Sequence, residues 1–116
     1  MEKVPGTVTI APEVLVTIAQ LTTQDISGVY AMSTDWARDV NRFFGNTHVG
    51  DGVQVQVDGD QVTVDLYVIV EHDVNMLQLA RSIQSEVTRA IVEMVGMSVR
   101  AVDVHIEDVH YAPGES

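Results

Sequence analysis

Asp103, His105 and Glu107 alternate along a stretch that reads as a strand, and they are the residues of this chain best spaced to do chemistry. Side chains two apart on a strand share a face, so the three project together. Glu71 and His72, at the end of another strand-like run, come within reach if the two strands are neighbours. A histidine among carboxylates is a donor set for a divalent cation, which makes Asp103, His105, Glu107 and His72 the metal candidates. The plainer account is that an outward strand face is polar and solvated. Asp58-Gly59-Asp60 also sets two carboxylates beside a glycine. Calcium asks for about six or more oxygens, and an Asp-Gly turn between strands accounts for the triplet by itself. Glycine-rich phosphate loops, nucleophile elbows, HExxH and EF-hand spacings are all missing, and six basic residues leave little to hold a substrate. These residues point away from an enzyme and to no cofactor.

The element that positions them is the run Val53–Glu71. Val62, Val64, Leu66, Val68 and Val70 alternate with polar or mixed residues, and Val53, Val55 and Val57 repeat the rule before Asp58-Gly59-Asp60. This is a β-hairpin with one buried face, and a slip of one residue would turn every valine to water. Val99–Val109 is the last strand: Val102, Val104 and Ile106 share one parity, Val99, Ala101 and Val109 the other, so one or two β-bulges are needed. Between them, Asn75 with Gln78 reads as a helix start, and Met76, Ala80, Ile83, Val87, Ala90 and Met94 form a stripe closed by Gly96. Strand, helix, strand predicts a parallel crossover.

Earlier, Thr7–Ile10 reads as a first strand, and Pro12-Glu13 opens a helix with Val14, Ile18 and Leu21, joined by Leu15, Thr22 and Ile26, on its stripe and Gly28 as its cap. Val29–Met32 reads as another strand. The fold class is α/β: a two-layer sandwich, a small mixed sheet with two main helices on one face, in the order β-α-β-(short α)-β-β-α-β. One domain spans residues 1–116, with tails at 1–6 and 112–116 and a variable insert at 33–52. Within the insert, Trp36, Val40, Phe43 and Phe44 fit a short amphipathic helix to about Phe44, followed by a flexible Gly45–Gly52 loop.

The net charge of −11 and the scatter of five arginines argue against nucleic acid and against an anionic membrane surface. No apolar run approaches the ~20 residues of a membrane span, and no signal peptide is evident. Cysteine is absent, in keeping with a reducing cytosol. Tyr67 and Ile69 occupy outward positions of the long strand, where solvation alone needs neither an aromatic nor an isoleucine. With Gln54, Gln56, Asp65 and His105 as a rim, they make a candidate interaction surface, joined by Trp36, Phe43 and Phe44. The competing account has Trp36–Phe44 fold over that face and bury it within the chain.

Gly6-Thr7-Val8-Thr9-Ile10-Ala11-Pro12-Glu13-Val14, Ile26-Ser27-Gly28-Val29-Tyr30-Ala31-Met32, the arm Val62–Val70 and Glu93-Met94-Val95-Gly96-Met97-Ser98-Val99 together resemble the alkaline shock protein family of the bacterial envelope stress response. The resemblance implies a non-enzymatic, cytoplasmic protein that forms homo-oligomers and is held at the membrane by a separate integral membrane partner. It defines no catalytic residues. Where many members carry a basic, Gly-rich segment this chain has Ser33–Gly52, and His72-Asp73 replaces a common Tyr-Gly pair. Two other roles fit the same residues: a regulatory domain for a cytosolic enzyme, in lipid metabolism for instance, and a small-ligand or metal binder.

Overall fold

Branched aliphatic residues at every second position make the strand Gln61–Glu71 the axis of the sheet. The computed structural model describes residues 4–34 and 47–112. Within them the chain runs α1 (Pro12–Gln24), β1 (Val29–Met32), β2 (Thr47–Gly50), β3 (Val53–Asp58), β4 (Gln61–Glu71), α2 (Met76–Ala90), a π-helical turn (Ile91–Val95) and β5 (Ser98–His110). Val62, Val64, Leu66, Val68 and Val70 of β4 are fully buried, as are Val53 and Val55 of β3. β3 and β4 form the expected antiparallel hairpin, Asp58 opposite Gln61, and Gly59 supplies the positive φ of 65° that its two-residue turn requires.

β4 pairs along one edge with β3 and then with β1, both antiparallel, and along the other edge with β5 in parallel. The exchange from β3 to β1 falls at Tyr67. Its N–H donates to the Gly52 carbonyl at 2.8 Å, and its carbonyl accepts from Ser33 N–H at 2.7 Å. Gly52 has φ +70°, and a Cβ there would lie 2.8 Å from both Met32 Cβ and the Tyr67 carbonyl oxygen. Only glycine fits this junction.

β5 carries two bulges, where its parity called for one or two. The pairing steps over Arg100 between Val62/Val99 and Thr63/Ala101, and over Glu107 between Val68/Ile106 and Ile69/Asp108. Each extra residue restores the phase, so Val99, Val102, Val104, Ile106 and Val109 all pack on the core side.

Both helices cover that side, α1 over β1, β2 and β3, and α2 against β5. Leu15, Val16, Ala19 and Thr23 of α1 are buried, and Thr23 satisfies its hydroxyl by donating to the Ala19 carbonyl at 2.7 Å. Leu79, Ile83, Val87 and Ile91 continue the layer at four-residue spacing. Asn75 caps α2 by accepting from Gln78 N–H at 3.0 Å. Gly96 N–H donates to the Ile91 and Val92 carbonyls, and its φ of 82° ends the helix.

The structure differs from the sequence-based expectation in four places. Thr7–Ile10 pairs with no strand and is exposed; it runs beside the start of α1, where no sheet edge is at hand to complete a ladder. α1 ends at Gln24 with Asp25 at its cap, so Gly28, φ +105°, belongs to the turn into β1. Of the stripe expected here, Leu15 is buried and Ile18, Thr22 and Ile26 are half-buried, whereas Val14 and Leu21 lie exposed, because the buried face of α1 runs through Leu15, Val16, Ala19 and Thr23. Thr47–Gly50, expected to be loop, is a strand paired with β3. Gly50 gives way there to α1, since a Cβ would stand 2.5 Å from Val16 Cγ1. The short helix expected between Thr34 and Phe44, with Trp36, Phe43 and Phe44, lies outside the described residues.

Candidate functional site

With both helices on the valine side, no described segment lies over the other side of the sheet. Pairing register decides what stands there. Along β4 come Thr63, Asp65, Tyr67, Ile69 and Glu71; beside them on β5 come Ala101, Asp103, His105, Asp108 and His110. The bulge at Glu107 sets the lower half of this array. Without it Val109 instead of His110 would stand opposite Glu71.

Two repeats of one arrangement result. His105 Nε2 lies 3.0 Å from Asp65 Oδ1, and its ring stacks on Tyr67 with centroids 4.4 Å apart and planes 10° off parallel. His110 Nδ1 lies 3.2 Å from Glu71 Oε1, and its ring stacks on Tyr30 at 3.7 Å and 7°. A third stack, Tyr111 on His72 at 4.9 Å and 24°, lies just past the strand ends. Every one of the chain's three tyrosines thus rests on a histidine. Stacking of flat rings at such separations favours an ordered surface over a set of independent side chains.

The field over this surface is negative. The Tyr67 phenol is pushed above its usual range, first by burial and then by the carboxylates of Asp65, Glu107 and Asp103. Arg100 donates to Gln61, at 2.7 Å, and pairs with Asp58 at the hairpin end. Arg89 pairs with Glu86, and Arg81 reaches Gln84, both on α2. Among the described residues, then, Arg81 and Arg89 are engaged on α2 and Arg100 at the hairpin end of β4 and β5.

The sequence-derived candidates fall out as follows. Asp103, His105 and Glu107 do gather around Tyr67, but His105 takes Asp65 as its partner, and His72 sits beyond the end of β4 against Tyr111. No group of three or more His, Asp or Glu side chains among the described residues is arranged to hold a metal ion. Tyr67 and Ile69 stand on the open side, half-buried between their neighbours. Tyr30 and His110 join them there without having been candidates by sequence, and Tyr111 stacks on His72 past the strand ends. The signal for His110 is present in the parity break of β5; for Tyr30 none exists short of the pairing of β1 with the end of β4. A separate shallow groove of about 540 Å³ lies on the helix layer, lined by Ile10, Val14, Ile18, Met94 and Val95 among others. No helix of the described residues is long and apolar enough to cross a membrane.

The sequence profile of the alkaline shock protein 23 family, described as having a cell envelope-related function, matches residues 1–111. The uncharacterized protein YqhY of Bacillus subtilis is 31% identical over 106 residues, covering 91% of this chain and 78% of its own length. YloU of the same organism is 26% identical, covering 90% and 88%. A Streptococcus pyogenes homolog of the stress response regulator gls24 is 28% identical, covering 90% of this chain and 59% of that protein. Among solved structures, a MamM CTD covers 84% of this chain and 96% of its own, with TM-score 0.51 and 14% identity. Others of that domain include a manganese form and a copper form. At such low identity the likeness concerns the fold alone.

Proposed function

The chain belongs to the alkaline shock protein family, whose function is cell envelope-related, and from that premise we propose that it works by binding rather than by catalysis. In this reading it is a cytoplasmic interaction protein that self-associates and is held at the inner face of the membrane by an integral membrane partner. Tyr67 and Ile69 anchor the partner contact, with Asp65 and His105 at their rim. The observation that carries the reading is the open side of the sheet. Two strands present stacked aromatics and an isoleucine there, with no described element over them, whereas the other side is filled by both helices.

Self-association draws on the exposed apolar residues of the helix layer. Leu21, Val92 and Met94 are more than two-fifths exposed. Copies carrying −11 each need contacts free of charge to overcome their repulsion.

The test is recovery of partners from detergent-solubilised membranes on immobilised wild-type chain and on a Tyr67→Ser/Ile69→Ser variant, with circular dichroism to verify that the variant folds. An integral membrane protein retained by the first and lost by the second supports the proposal. Retention of soluble enzymes alone would replace it with the regulatory-domain role.

A further inference from the structure

Among the described residues β5 is an edge strand. It pairs with β4 along one side, and no other described strand pairs with it. Between the bulges at Arg100 and Glu107, residues 101–106 form a regular run that no other described strand flanks on its outer side, and within it the Val102 carbonyl accepts from the Gln84 side-chain amide at 3.0 Å, a bond that an added strand would compete with. The side chains that such a strand would meet on the open side are Asp103 and His105, with Glu107 at the bulge. Asp103 and Glu107 are exposed, and both raise the Tyr67 phenol through their charge. Same-side residues of an extended strand recur every ~6.6 Å, so a neighbour would set its own alternate side chains at the same interval.

A second copy is a poor occupant of this edge. Two β5 strands side by side would bring Asp103, Glu107 and Asp108 of each against those of the other, and like charges across a strand pair repel. The complementary occupant carries arginine or lysine at alternate positions. Guanidinium groups can pair with Asp103 and Glu107 and lie on the flat ring of His105, already held by its stack on Tyr67. Resting on the reading of the open face as a partner surface, we propose that the partner presents an extended cationic segment, which adds to the outer edge of β5 as a further strand with its basic side chains over Asp103 and Glu107. This is strand addition, with main-chain hydrogen bonds giving affinity and alternate side chains giving selectivity.

The probe is a synthetic peptide with arginine and threonine alternating, beside a copy with glutamate for arginine and a copy N-methylated at alternate backbone nitrogens. Binding to the full chain is read by fluorescence anisotropy, and protection of the amides of residues 101–106 by hydrogen exchange. The arginine peptide binds and protects those amides, the glutamate copy does not bind, and N-methylation of the face toward β5 abolishes binding. Asp103→Asn/Glu107→Gln weakens binding about tenfold, whereas the equal charge change Glu86→Gln/Glu93→Gln on the helix layer changes it less than about twofold. Equal weakening by both pairs, unaltered binding of the methylated peptides, or no preference for arginine over glutamate would overturn the inference. Recovery of a membrane protein, with and without Tyr67→Ser/Ile69→Ser, is read separately. Peptide binding without any recovered membrane protein rejects the broader role, and the reverse rejects only the cationic strand.

Discussion

At the scale of single residues, Tyr67 and Gly52 do the most to define the open side of the sheet. The Tyr67 backbone bridges the end of β1 and the start of β3, and its ring carries His105. Its raised pKa has a definite sign in stability. The unfolded chain loses the phenolic proton near pH ~10, the folded chain later, so the folded state binds more protons and stability falls as pH rises beyond that point. An ultraviolet titration should show a tyrosine step above the ordinary phenolic range, and Tyr67→Phe should remove both that step and its share of the alkaline loss. Gly52→Ala should cost about 1–3 kcal/mol in denaturant unfolding, since φ +70° and the 2.8 Å approach to Met32 and Tyr67 both oppose a side chain. The placement of Tyr67 and Ile69 on the open side is legible from alternation alone. Gly52 is not, because a glycine required by two other strands declares itself only once those strands are known to meet. Tyr30 is hidden for the same reason.

At the scale of elements, the hairpin, the long second helix, the parallel β5 and its two bulges can all be read from periodicity. The parity break of β5 is a strong signal because a strand with a buried face cannot change phase without an extra residue. Deleting Glu107 should therefore destabilise the chain far less than deleting Asp103, because the first removes the extra residue and leaves Val109 inward and His110 outward, whereas the second turns Val104 and Ile106 outward; urea unfolding of the two compares them. Ile83→Ala, at a fully buried position between helix and sheet, should lose about 2–5 kcal/mol by the same measurement. Asn75→Ala should lose about 1 kcal/mol with its cap. β2 is hard to see in the sequence because four residues containing a histidine and a glycine carry little strand signal; its place is decided by β3 beside it and α1 above it. Thr7–Ile10 errs the other way. Its alternation is that of a strand, but alternation sets only the side-chain faces, and a strand also needs a free edge next to it.

At the scale of the whole molecule, the distribution of cover and charge is what supports a binding role. One side of the sheet is closed by Leu15, Ile83, Val87 and Ile91, and the other presents rings and carboxylates. Family membership is legible from the order and spacing of short stretches along most of the chain, none of them distinctive alone. The partner surface is half legible, since its β4 residues follow from alternation and its β5 residues depend on a bulge count that alternation leaves open.

Whether the open side of the sheet is the partner surface can be read by photo-crosslinking. A photoreactive residue is placed at Asp103, on the open side, or at Glu86, on the helix layer, and each variant is irradiated with bacterial membranes. A partner seated on the open side gives a crosslink to an integral membrane protein from position 103 and none from position 86. Crosslinks from position 86 alone would contradict that placement.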